Sequence, residues 1–140
     1  MRQRTWCAMG VFALMLMTFG AAAHAALNAN AGYYVLEPNT ADQTIYITAT
    51  GGDDFFTWVP RIQLGDGYSG PQFTNVTSSS SGTIFWFAPD EDDTYLYDPY
   101  HVAGAVGLPN VDPVFASGIL SILTVDTTGV SSGRFAISIE

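Results

Sequence analysis

Beyond residue 25 no stretch of this chain sustains a helical period, and that is its strongest constraint. What recurs is apolar–polar alternation over short runs, the repeat of a strand whose side chains point to opposite faces of a sheet. The runs are rich in β-branched and aromatic residues, and Gly, Pro, Asn and Ser separate them, as turns require. In Gln43–Thr50 (QTIYITAT), Ile45, Ile47 and Ala49 fall on one face and Thr44, Tyr46 and Thr48 on the other. Residues 56–64 put Phe56, Trp58, Ile62 and Leu64 on one face, with Pro60 inside the run. Proline cannot donate to a ladder, so the strand is at an edge, bulged or broken there. Trp58, among inward residues, is expected in the core. Short strands are expected at residues 33–36 and 73–76. Residues 83–88 (TIFWFA), apolar on both faces, read as a central strand or as one with an exposed aromatic face. Residues 119–126 and 134–140 close the series as an expected hairpin, with Phe135, Ile137 and Ile139 inward. Residues 89–113 are irregular. Short strands with Gly/Pro turns predict an all-β fold, an antiparallel β-sandwich.

The first 25 residues belong to a different pattern. Arg2 and Arg4 precede the apolar run at residues 8–19, and Ala23-His24-Ala25 matches the small-x-small cleavage rule of a secretory signal peptide. The expected organisation is therefore a signal peptide at 1–25 and a single β-sandwich domain at 26–140. The apolar run is short for a membrane span, so no membrane anchor is expected after cleavage, and the location is secreted or cell surface. The leader holds every Met, the single Cys and half the four arginines. Residues 26–140 keep Arg61 and Arg134 against 13 acidic residues, a net charge of −11 with His101 neutral. Phosphate neutralisation needs clustered Lys and Arg, so nucleic acid is excluded as a partner. Without cysteine the domain has no disulfides.

Two clusters carry the candidate chemistry. The run Asp90-Glu91-Asp92-Asp93, with Asp98 close behind, is the densest charge. Hard cations want several converging oxygens, so Asp90, Asp92, Asp93 and Asp98 are candidate Ca²⁺ ligands, against the alternative of a solvated acidic loop. The spacing is not that of an EF-hand. The second cluster is aromatic. Trp86, Tyr95, Tyr97 and Tyr100 lie in or near the irregular region, where exposed rings would stack on sugars and buried ones would pack the core. Tyr95 and Tyr97 share a strand face and flank acids, so they are the better candidates for an exposed sugar-stacking surface. His101 has no Cys or second His for a zinc site. No Gly-x-Ser-x-Gly elbow and no singled-out carboxylate pair marks a nucleophile or acid–base pair, so neither an enzyme nor a required cofactor is expected.

Several of these pieces together carry a family likeness. They are the Gln43–Thr50 strand, Gly65-Asp66-Gly67, Gly70-Pro71 before a Phe, Gly82-Thr83-Ile84-Phe85, and the closing Gly118-Ile119-Leu120-Ser121-Ile122-Leu123-Thr124-Val125-Asp126-Thr127-Thr128-Gly129 with Gly133. Over most of residues 31–140 the chain resembles the cohesin-like, carbohydrate-binding-module-like exported domains of bacterial proteins with a Pro-Glu-Pro sorting tail. The resemblance implies a jelly-roll sandwich without an active site. It carries over no ligand residues. The sorting tail does not occur in these 140 residues, so surface anchoring does not follow from the likeness, and a sheet short of its last strand is the expectation. The expected function is a non-catalytic exported binding module for polysaccharide or an extracellular protein. The alternative is a structural envelope or matrix protein that assembles through sheet edges.

Overall fold

The computed structural model describes residues 26–107 and 112–140. The expected signal peptide at 1–25 lies outside the described residues, as do residues 108–111 of the irregular stretch. The strands are β1 (Ala29–Asn30), β2 (Gln43–Thr50), β3 (Thr57–Trp58), β4 (Ile62–Leu64), β5 (Gln72–Thr77), β6 (Tyr95–Asp98), β7 (His101–Ala103), β8 (Val106–Gly107), β9 (Ser117–Asp126) and β10 (Ile137–Ile139). Every strand pairing is antiparallel. One sheet has the order β1-β2-β9-β5, a second β10-β4-β7-β6, and β3 and β8 form a small third sheet. The fold is all-β, as the alternation requires.

β9 is the spine, paired with β2 on one side and β5 on the other. Its register against β2 shifts between Ile47 and Thr48, which pair with Ser121 and Ile119. The bulge leaves Leu120 unpaired there, so Leu120 and Ser121 both turn inward and are fully buried. The inner faces then meet in one core. Ile45, Ile47 and Ala49 of β2, Leu120, Leu123 and Val125 of β9 and Phe73 of β5 pack with Ile62 and Leu64 of β4, Val102 of β7, Trp58 of β3 and Val106 of β8. That cluster joins the sheets as a sandwich.

Four sequence expectations are corrected. Residues 56–64 do not form one strand. Pro60 breaks the run, β3 and β4 join different sheets, and Phe56 is exposed while Trp58, Ile62 and Leu64 are buried. Residues 33–36 form no strand, because the Tyr34 hydroxyl inserts at the edge of β2. It accepts from Tyr46 N–H at 3.0 Å and donates to Tyr46 C=O at 3.0 Å, doing the work of a partner strand and holding the chain away. The terminal hairpin does not form either. Both edges of β9 are occupied, so β10 crosses to the second sheet and pairs with β4, and Phe135 lies outside the strand, partly exposed. The free edge there is three residues long, little template for edge-to-edge assembly. Residues 83–88, finally, are turns rather than a central strand.

The ends of β9 explain that last outcome. Ile84 N–H donates to Ile119 C=O at 2.9 Å, and Thr83 bridges to Ile119 in parallel. Gly118 permits the approach. Its φ is +135°, and a Cβ there would stand 2.9 Å from Ile84 Cγ2. The segment then turns back on itself through Ala88 N–H to Phe85 C=O at 2.9 Å.

Candidate functional site

The turn at residues 83–88 sorts its aromatics by depth. Phe85 is fully buried and meets Phe55 edge-on, with ring centroids 5.7 Å apart. The adjacent Trp86 and Phe87 are thrown outward, Trp86 with 64% of its surface exposed. Their rings also meet edge-on, with centroids 5.6 Å apart, so Phe87 buttresses the indole. A second segment arrives from far along the chain. Phe55 and Val114 exchange both backbone hydrogen bonds, at 3.0 and 2.9 Å, which places Phe115, 75% exposed, beside the turn. Trp86, Phe87, Phe115, Ile84, Asp112 and Ser117 are among the residues lining a groove of about 500 Å³. The groove has aromatic walls, one carboxylate and two hydroxyl-bearing residues, Thr83 and Ser117.

The sequence named Trp86 as one of four candidate aromatics, behind Tyr95 and Tyr97, and allowed for an exposed aromatic face at 83–88. It did not find Phe87, Phe115 or Asp112. The only local signal was the doubly apolar run, and the pairing that brings Phe115 in is long-range.

The other predicted aromatics lie elsewhere. Tyr95 and Tyr97 share the exposed face of β6, an edge strand, and neither lines the Trp86 groove. Tyr100 is half-buried. Its hydroxyl accepts from Gln72 Nε2 at 3.2 Å, which ties it to β5.

The acidic run is taken apart by its own backbone. Asp90 and Glu91 sit exposed on a short 3₁₀ turn (Pro89–Glu91). Asp93 is exposed, and its N–H donates to Ala105 C=O. Asp92 turns inward. Its carboxylate accepts from the N–H groups of Ser78 and Ser79, both at 2.8 Å, and from the N–H and hydroxyl of Thr94. It thereby closes the end of β5. Asp98 accepts from Tyr100 N–H at 2.8 Å and pairs with His101 Nδ1 at 2.8 Å. The four proposed calcium ligands are therefore not gathered, and among the described residues no three His, Cys, Asp or Glu side chains converge on a metal position. The Asp98–His101 pair has the geometry of two members of a catalytic triad. His101 Nε2, however, faces Gln63 Oε1 at 3.4 Å, and no hydroxyl among the described residues is bonded to it.

These bonds set the acid response. Partial burial opposes ionisation of Asp92, but the donors from Thr94, Ser78 and Ser79 outweigh it and hold the carboxyl below its ordinary value. Asp98 is held low chiefly by Tyr100 N–H; desolvation opposes this, and the hydrogen bond and charge of the His101 side chain add to the lowering. A carboxyl depressed by folding contributes stability that is complete above the unfolded value, about 4. It is lost as pH falls through that value toward the folded one. The protein should therefore weaken from about pH 5 downward. Asp92→Asn should be less stable at pH 7 and show a shallower loss between neutral and acid pH in urea titrations. An unchanged acid slope would contradict the role assigned to Asp92.

No family model, no curated protein and no solved structure matches the chain. Among the described residues no helix is long and apolar enough to cross a membrane.

Proposed function

We propose that the protein is a non-catalytic, exported binding module that takes carbohydrate in the Trp86 groove. One observation carries this reading. An indole is held largely exposed on a turn pinned to the core, with Phe115 lining the same concave surface and the Asp112 carboxylate beside them. Sugar rings present apolar faces to aromatic planes and hydroxyls to carboxylates, and exposed aromatic clusters on an ordered scaffold mark contact sites. The strongly acidic chain favours a neutral or cationic polysaccharide over an anionic one. The export pattern at residues 1–25 and the cohesin-like resemblance agree with an extracellular role.

The test is retention on insoluble cellulose, chitin, xylan and mannan. The protein should be held by at least one of them. Trp86→Ala should lower the affinity about tenfold, the scale of one lost stacking contact. Tyr95→Ala combined with Tyr97→Ala should leave it within about twofold, as expected of side chains outside the groove. Loss on the tyrosine variant alone would move the site to β6. Retention by none of the four would overturn the sugar reading.

A further inference from the structure

A second, larger cavity, about 570 Å³, opens between residues 32–38 and 130–137. It exists because the Tyr34 hydroxyl holds the chain off the edge of β2. Its deep wall is the core itself, with Ile45, Leu64 and Val125 all buried, and Leu36 and Phe135 stand nearer the mouth. The volume lies within the range of about 300–1,000 Å³ typical of small-molecule sites.

Charge narrows the ligand class. Arg134 lines this cavity. It is one of two cations in residues 26–140, it is exposed, and it makes no ion pair with any described residue. Glu37 also lines the cavity and is exposed, so one carboxylate shares the lining with Arg134, and the Gln43 amide engages the Glu37 backbone N–H and C=O. Arg134 supplies the cationic contact for one negative charge, while Glu37 and the otherwise acidic chain disfavour a polyanion such as a nucleotide. An apolar interior suits a hydrocarbon chain.

We propose that this cavity binds a single-chain anionic amphiphile, a long-chain carboxylate, with its hydrocarbon against Ile45, Leu64 and Val125 and its head group at Arg134. The site is separate from the Trp86 groove and does not depend on it.

The probe is dodecanoate, titrated calorimetrically into the protein below the micelle concentration, with dodecyltrimethylammonium as the cationic counterpart. Dodecanoate should saturate at one per chain and bind more tightly than the cation. Arg134→Gln, at an exposed position, should weaken dodecanoate about fivefold to tenfold, the scale of a partly solvated charge-assisted contact. Leu36→Trp, which fills the cavity, should abolish binding while circular dichroism stays native. Trp86→Ala should change nothing. The absence of saturable binding would overturn the proposal. So would equal binding of both amphiphiles with no response to Arg134→Gln, or loss on Trp86→Ala in place of Leu36→Trp.

Discussion

Replacing Phe85 by alanine should cost about 3–5 kcal/mol of folding free energy, the range for removing a fully buried phenylalanine. Phe85 lies in no strand and is nevertheless fully buried, packed edge-on against Phe55. The turn at 83–88 is otherwise held by buried Thr83 and Ala88, by Ile84 packed on the core and hydrogen-bonded to Ile119, and by its own internal bonds. Truncation would leave a cavity beneath the turn and loosen both Trp86 and the Phe55–Val114 bridge that positions Phe115. Two effects should therefore appear together, a lower denaturation midpoint and weaker polysaccharide retention by the remaining folded protein. Phe85→Leu should recover most of the stability. A loss below about 1 kcal/mol for the alanine variant, within the range of ordinary surface substitutions, would mean that the turn does not depend on this ring.

Ser121→Ala should have an effect of similar order, about 2–4 kcal/mol, by a different route. The bulge in β9 points Ser121 into the core, where its hydroxyl accepts from Trp58 Nε1 at 3.0 Å and shares a 2.7 Å hydrogen bond with Ser78 Oγ. Ser78 and Ser121 are fully buried and Trp58 nearly so. Removing the central hydroxyl strands an indole N–H and a second hydroxyl away from water, and the penalty for unsatisfied buried groups exceeds the net worth of the bonds themselves. Adding Ser78→Ala to Ser121→Ala should then cost less than the sum of the single changes, because it removes one stranded group. The coupling, read from a double-mutant cycle by urea denaturation, should be about 1 kcal/mol. Strict additivity would contradict a linked network.

These two sites show what the sequence could and could not tell. β5 was legible only as a short run around Phe73, whereas β2 and β9 were legible because each is long enough to alternate over most of its length and buries one face. Trp58 was legible as core for the same reason. The inward turn of Ser121 was not, since it depends on a bulge defined by the register with β2. The expected hairpin of β9 with residues 134–140 failed because pairing is a property of the whole sheet. Nothing local to β9 tells that β2 and β5 already occupy its edges. β7 and β8 are three and two residues long, too short for a periodic signal, while in four-residue β6 only the shared face of Tyr95 and Tyr97 could be read. At the candidate site, Trp86 could be marked from its doubly apolar run. Phe115 and Asp112 enter through the bridge between Phe55 and Val114, a contact across 59 positions of sequence. The acidic run misled in the opposite way. Adjacent carboxylates suggested a metal site, yet the backbone N–H groups at the end of β5 draw Asp92 away from its neighbours.

Trp86 is the proposed surface that meets the ligand, and indole resonances test this directly. The chain has three tryptophans, Trp6, Trp58 and Trp86, and the latter two report on different places. Trp58 Nε1–H is bonded inside the core, whereas Trp86 is on the groove. In a proton–nitrogen NMR titration with the hexasaccharide of whichever polysaccharide retains the protein, the Trp86 indole signal should shift and saturate while that of Trp58 stays in place. Saturable shifts confined to the amides of Tyr95 and Tyr97, with the Trp86 indole unmoved, would contradict it.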